Sequence, residues 1–213
     1  MLLYDFHAKA KIIKNLHFSQ TVHDVDNLKL KYSKPVFGIM SIWDGLQLLK
    51  NVVDPTDMDL GHTNQWVHTL QVVAKMENDN LPQEFIIAGW LHDLGKLLLL
   101  TLEHPKNIVC DNILIKGGPG FDNCIFTWNH DEFGYSIIKN LVSYKISWLV
   151  RYHSIRLNTC INYANEIDKS LINDYLIFKK YDKSTKSKTI IPNIDLNKHK
   201  KLLESVFKEN III

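Results

Sequence analysis

The chain has 213 residues, 46% hydrophobic and 23% charged, enough apolar content to bury one sizeable core and too much for a disordered or fibrous protein. Its 25 basic and 23 acidic residues leave a formal charge of only +2, so nucleic acid is not an expected partner. Three cysteines without a short-spaced pair suit a reducing compartment. Charge enters at Asp5 and Lys9, too early for a signal peptide, and no window approaches the ~18 uncharged apolar residues of a membrane span. A cytoplasmic protein without a membrane partner is expected.

Residues 1–40 read as an extended or partly helical N-terminal arm, ending where Pro35 and Gly38 punctuate the chain. Residues 41–213 read as one helical domain. Ser41 offers an N-cap to a helix carrying Ile42, Leu46, Leu49 and Val53, which stops at Asp54-Pro55. The next helix runs from about Thr63 to Met76, with Trp66, Leu70 and Val73 on its apolar stripe. In Asn80-Leu81-Pro82-Gln83 a capping residue, a first-turn proline and a glutamine at the third position start a helix through Phe85, Ile86 and Leu91. His92-Asp93 falls near its end, before Gly95. Residues 101–124, with Pro105 and Gly117-Gly118-Pro119-Gly120, read as a loop over the core. Helices are expected at about 125–142, 145–156 and 168–182, and a last short one from Ile191 to Lys208. With no internal repeat and no run of alternating strands, the fold class is all-α, with a core of five or more helices.

The chemistry concentrates in histidines and aspartates. A carboxylate beside an imidazole, as in His92-Asp93, is costly on an apolar helix unless something compensates it, and a divalent metal does so directly. Neighbouring helical residues point about 100° apart, so one can complete a ligand set while the other reaches a second ion. Alone, the dipeptide is a weak signal, and a helix end with a solvated aspartate is the much commoner reading. Asp182 shares a helix face with Tyr175 and Phe178. His153 follows Ile146 and Leu149 on an inward face, where a lone histidine is more often a hydrogen-bonded core residue. His130-Asp131 is a second dipeptide, and His68 lies on its own amphipathic helix. Together these residues place a nitrogen or oxygen ligand on every helix of a five-helix core.

In order, His68, His92-Asp93 and Asp182 resemble the metal motif of the HD-domain superfamily. A finer resemblance is to the inositol oxygenase family. It rests on Ser41-Ile42-Trp43-Asp44-Gly45 running into Val53-Asp54-Pro55-Thr56-Asp57, on His68 with Gln71, and on Leu91-His92-Asp93-Leu94-Gly95-Lys96. Gly120-Phe121-Asp122, Trp128-Asn129-His130-Asp131-Glu132-Phe133, Arg151-Tyr152-His153-Ser154 and Lys180-Tyr181-Asp182-Lys183-Ser184-Thr185-Lys186 extend it. The resemblance implies an HD-domain-like helical core around a dinuclear site. His68, His92 and Asp182 would then ligate one iron, His130 and His153 the other, and Asp93 would be shared, with Asp131 supporting a ligand at most. It also implies substrate contacts from Lys96, Ser154, Lys186 and the turn Asp54-Pro55-Thr56. Lys96 would be catalytic as well, since a fixed ammonium beside a reacting hydroxyl favours loss of its proton.

The implied activity is dioxygen-dependent ring cleavage of myo-inositol, or a related cyclic polyol, to D-glucuronate. It would use two irons as a mixed-valent Fe(II)/Fe(III) pair, with O2 as co-substrate and a small polyol as partner; the sequence leaves the oligomeric state open, with a monomer favoured. Two departures bear on substrate. The family's substrate-contacting arginine near the N-terminus has no counterpart, and the loop between metal-ligand segments is shortened, the family's Gly-Asp pair falling on Asp111-Asn112. Both predict a more open mouth. The rival reading is an HD-type phosphohydrolase acting on a nucleotide or phosphoester, whose minimal set His68, His92-Asp93 and Asp182 is also present. A third is a non-catalytic iron-binding module.

Overall fold

A computed structural model describes residues 2–213, with side chains from Phe6 onward. The arm is largely helical, as α1 (Leu2–Phe18) and α2 (Val22–Lys31), the latter opened by a capping box between Thr21 and Asp24. A two-residue strand β1 (Ile39–Met40) leads to α3 (Ile42–Gln47), capped by Ser41 as expected and prolonged as a 3-10 turn to Asn51. The core helices α4 (Gln65–Asn78) and α5 (Gln83–Leu91) follow. The start of α5 differs from the expectation. Asn80 has a φ of +55° and closes the turn after α4, and Pro82 occupies the N-cap; asparagine tolerates that left-handed turn, so its side chain is lost to capping.

After a 3-10 run over Leu94–Leu100, the segment expected to be a loop holds two short 3-10 turns and β2 (Leu114–Lys116). This strand pairs antiparallel with β3 (Ile125–Phe126), so α6 begins only at His130 and ends at Ile138, short of the expected 125–142. Then come α7 (Tyr144–Tyr152), α8 (Leu157–Cys160), α9 (Glu166–Ser184) and α10 (Leu196–Val206). Finally β4 (Ile211–Ile212) pairs antiparallel with β1. Among the described residues, no helix is long and apolar enough to cross a membrane.

Helices α4, α5, α6, α7 and α9 pack on one another around a core that includes Trp90, Leu91, Leu149 and Phe178, all essentially inaccessible. Burial of each such side chain contributes about 1.5–3 kcal/mol. The arm is tied to this core by polar contacts. His17 Nδ1 bonds the Lys106 carbonyl at 2.7 Å, and Gln20 accepts from Trp128 N at 2.8 Å while donating to Trp128 O at 3.0 Å. These bonds anchor the chain two residues before His130.

One backbone approach sets the spacing of the centre. A Cβ on Gly95 would lie 2.0 Å from the His130 carbonyl oxygen and 2.9 Å from Gly134 N, so only glycine lets the segment after α5 rest on the start of α6. Gly95→Ala is therefore expected to destabilise the protein by about 3 kcal/mol, at the upper end for overpacking. It should also displace His130 from Asp93. Urea denaturation with iron content per chain tests this; a variant with native stability and native iron would show that the contact does not position the centre.

Candidate metal centre

Five helices each deliver a side chain to one buried point. His68 projects from the middle of α4, His92 caps the C-terminus of α5 with Asp93 next, and His130 is the first residue of α6. His153 caps the end of α7, and Asp182 lies in the last turns of α9. Four of these positions are helix ends, where the chain turns and its side chain can point along the bundle interior.

The six predicted residues form two groups. In the first, His68 Nε2 lies 3.1 Å from Asp182 Oδ1 and 3.3 Å from His92 Nε2. In the second, Asp93 Oδ1 lies 3.3 Å from His130 Nε2 and 3.8 Å from His153 Nε2. Asp93 belongs to both by geometry, because its other oxygen, Oδ2, stands 3.3 Å from His92 Nε2 and 3.7 Å from His68 Nε2. One carboxylate thus turns one oxygen to each group.

Hydrogen bonds fix which ring nitrogens are available. His92 Nδ1 donates to Gly89 O, His130 Nδ1 to Ile108 O and His153 Nδ1 to Val150 O, each at 2.8 Å. With Nδ1 carrying the proton, the Nε2 lone pair is directed into the centre, the tautomer a ligating imidazole requires. Two neutral Nε2 atoms 3.3 Å apart, as in His68 and His92, repel unless a cation or proton lies between them. Nitrogen and carboxylate donors at this spacing suit first-row divalent metals, whose bonds to them are about 2.0–2.2 Å. The residues present therefore fit a dinuclear site.

Electrostatics prepares the same donors. Burial resists ionisation of Asp93, but the charges of His92 and Lys96 and a hydrogen bond from His130 outweigh it and hold its carboxyl well below the usual range. Burial likewise opposes Asp182, which is lowered further by the His68 hydrogen bond and Lys186. His153 stays neutral because burial, then His92 and His130, push its pKa well down. Burial raises Asp131 to about 6. Its Oδ2 accepts the Ser154 hydroxyl at 2.5 Å and Asn112 Nδ2 at 3.1 Å. Its Oδ1 sits 3.0 Å from His130 Nε2 with no hydrogen-bond partner. Asp131 is thus held beside His130 and, at 3.7 Å, His153 Nδ1, both of one group, rather than between the two groups.

A cleft of about 160 Å³ opens over the centre, well below the ~300–1,000 Å³ of drug-sized pockets and suited to a small ring. Asp54, Thr56, Lys96, Ser154 and Lys186 line it, as expected; Pro55 is not part of the wall. In this turn Asp54 and Thr56 are buried and bonded to each other, Thr56 donating from N and Oγ1 to Asp54 Oδ1 at 2.8 Å, and Pro55 between them is half-buried. Lys96 Nζ lies 3.1 Å from Asp54 Oδ2, Asp93 Oδ2 and Gln65 Oε1. Lys186 Nζ lies 2.6 Å from Asp57. Of the Asp111-Asn112 pair, Asp111 reaches the cleft while Asn112 is buried against Asp131.

Other lining residues had not been singled out: Lys14 and Phe18 of α1, Asp57, Cys110, Arg156, Lys179 and Lys183. For Lys179 and Lys183 the signal was available in their i, i+4 spacing beside Asp182. For Lys14 and Phe18 none was, because only packing brings α1 to the mouth. The mouth expected to be left open is thus partly walled by the arm.

Comparison with known proteins agrees with this centre. The family profile described as myo-inositol oxygenase matches residues 7–118 and 113–212. The chain belongs to the myo-inositol oxygenase family. Inositol oxygenase 4 of Arabidopsis thaliana is 28% identical over 92% of this chain and 75% of its own length. The Dictyostelium discoideum inositol oxygenase is 24% identical, covering 81% of this chain and 75% of the relative. The Mus musculus inositol oxygenase is 24% identical over 66% and 62%. The protein is accordingly an oxidoreductase of the inositol-oxygenase type, with histidine and aspartate clusters positioned for a dinuclear metal site.

Two outcomes follow for metal binding. Asp93→Ala should lose most of the iron, whereas Asp131→Ala, which removes a group supporting a ligand, should weaken binding about 10–100-fold; equal losses on metal analysis would mean that Asp93 does not hold both ions. Burial lowers the His92 and His130 pKa values, but the Asp93 charge at His92 and the Asp131 charge at His130 more than reverse it, leaving both raised. In the metal-free protein their ion pairs contribute stability below the ordinary imidazole pKa and lose it as pH rises through the raised values. Iron must displace those protons. Iron binding should therefore weaken as pH falls and release protons at neutral pH, read as a dependence of the binding heat on the buffer's ionisation enthalpy; identical heats in all buffers would contradict it.

Proposed function

We propose that this protein is a non-haem diiron oxygenase that opens the ring of myo-inositol, or a closely related cyclic polyol, to D-glucuronate with consumption of O2. The observation that carries the reading is Asp93, one buried carboxylate with an oxygen turned to each of two ligand groups. In this reading His68, His92 and Asp182 hold one iron, His130 and His153 the other, and Asp93 both. Bound there as a mixed-valent Fe(II)/Fe(III) pair, the metals would supply dioxygen activation and the redox capacity for carbon–carbon cleavage.

The chain's own residues supply the rest. Lys96 is held protonated, because the negative charges of Asp93, Asp54 and Asp57 overcome the opposition of burial, so it provides a fixed positive charge where a substrate hydroxyl must give up its proton. Lys186, Thr56 and the Asp54 carboxylate offer donors and acceptors to neighbouring ring hydroxyls. The Ser154 hydroxyl donates to Asp131 at 2.5 Å and accepts from Asn112 N and Asn129 Nδ2, both at 3.3 Å, which fixes it in the cleft wall. The small cleft excludes bulk water and orients the ring.

A single catalytic domain over residues 41–213, with residues 1–40 as an arm that walls the cleft, is supported by Lys14 and Phe18 at the mouth. A cytoplasmic setting is supported by three unpaired cysteines. The near-neutral charge supports a small-molecule partner rather than nucleic acid, and we propose a monomer.

Anaerobically purified, iron-loaded protein should consume O2 with myo-inositol and give D-glucuronate. Lys96→Met should lower turnover about 10²–10³-fold, the usual cost of removing one electrostatic stabiliser, with iron content checked in the same sample. Phosphate release from nucleotides without polyol-dependent oxygen uptake would replace this reading with a phosphohydrolase.

A further inference from the structure

The charges around the cleft divide into an inner set that is matched and an outer set that is not. Inside, Lys96 faces Asp54 and Asp93, and Lys186 faces Asp57. Outside, a second hollow of about 390 Å³ adjoins the cleft. The two share one wall, made of Asp111, Arg156, Lys179 and Lys183. Three of these four residues are cationic.

Asp111 is the only carboxylate on that wall, and its Oδ2 lies 3.6 Å from Arg156 Nε. The Arg156 guanidinium is held over the Phe18 ring at 4.5 Å. Lys179 Nζ donates to the carbonyls of His153 and Ile155, both at 3.2 Å. Among the described residues no carboxylate pairs with it, and burial lowers its pKa. Lys183 has no ion pair among the described residues, and Lys180 lines the far side of the second hollow. Elsewhere the chain does match half-buried cations: Arg151 is flanked by Asp122 and Glu132, and Lys145 by Asp174. Unmatched like charges beside a concavity repel one another and raise the local potential for an anion.

The hollow's position limits what that anion can be. Arg156, Lys179 and Lys183 line the metal cleft as well as the hollow, so a molecule seated in the cleft meets all three. A phosphoryl monoester carries about −1.5 to −2 charges and three acceptor oxygens, which suits a guanidinium fork flanked by two ammonium groups better than a singly charged carboxylate. We propose that the preferred substrate is a phosphorylated cyclic polyol, with free ring hydroxyls in the metal cleft and the phosphoryl group against Arg156, Lys179 and Lys183. This rests on the oxygenase reading above. The bond broken joins two ring carbons that bear free hydroxyls; one becomes a carboxylate and the other an aldehyde. One O2 is consumed and one water released per ring, all four electrons come from the substrate, and the phosphoester is untouched.

The test compares myo-inositol with myo-inositol 1-phosphate on iron-loaded protein, by oxygen uptake and by calorimetric titration, in the wild type and in Arg156→Gln/Lys183→Gln. The monophosphate should have a kcat/KM at least about 10-fold higher, a preference worth about 1.4 kcal/mol. It should shrink in high salt and fall to about 2-fold or less in the double variant. Equal kcat/KM for the two compounds in the wild type would overturn the proposal while leaving the oxygenase reading standing. Monophosphate affinity unchanged in the double variant would place the anion on the iron and overturn it too. If neither compound drives oxygen uptake, yet the monophosphate binds and the double variant loses that binding, the anion site stands and the oxygenase reading falls. Phosphate release from the monophosphate in place of oxygen uptake would overturn both.

Discussion

A carboxylate sealed inside a helical core with four imidazoles around it is the constraint on which the rest of this structure depends. Asp93 is only 1% exposed, and a charge so placed must be compensated on every side. Lys96 compensates it one helical turn along, at 3.1 Å, and is itself matched by Asp54. The turn carrying Asp54 is therefore drawn against the segment after α5. On the opposite side, Gly95 allows the backbone contact that brings His130 within reach of the same carboxylate.

Helix ends do most of the positioning. A residue in mid-helix is confined to one face, whereas His92, His130 and His153 stand where helices stop or begin, with ring nitrogens bonded to carbonyls. His92 and His153 bond carbonyls of their own last turn, at Gly89 and Val150; His130 reaches across to Ile108, in the segment between α5 and α6. That segment is in turn held by His17 through the Lys106 carbonyl, and Gln20 holds the chain just before His130. The N-terminal helices thus support the centre indirectly, through two shells of hydrogen bonds, besides lining its mouth.

Charge is arranged in layers outward from Asp93. The innermost layer pairs each carboxylate with imidazole or lysine, which keeps ligands ionised and Lys96 charged despite burial. The next layer is Asp131, held beside His130 by hydrogen bonds from Ser154 and Asn112. The outermost layer, on α9 and the turn after α7, is positive and largely unmatched. This gradient gives the cleft a direction, with metal-binding donors at its floor and anion-attracting groups at its rim.

Much of the centre was legible in the sequence because its information is local. The helices around His68, His92 and Asp182 follow from apolar periodicity, and adjacency of His92 and Asp93 on a helix already implies two directions of reach. Local chemistry misled at Asn80, whose side chain could cap a helix but whose backbone serves a left-handed turn. It also misled at residues 125–126, which pair as a strand with the upstream segment Leu114–Lys116, so the helix starts only at His130. Pairing and packing between distant segments leave no mark on a short window. For that reason the sequence alone determined which residue types could bind metal and on which helices they lie. Only the tertiary structure decided that Asp93 divides its two oxygens between the groups, that Lys14 and Phe18 join the cleft wall while Pro55 does not, and that Arg156, Lys179 and Lys183 form one wall, because each of these is a distance between elements far apart in the chain.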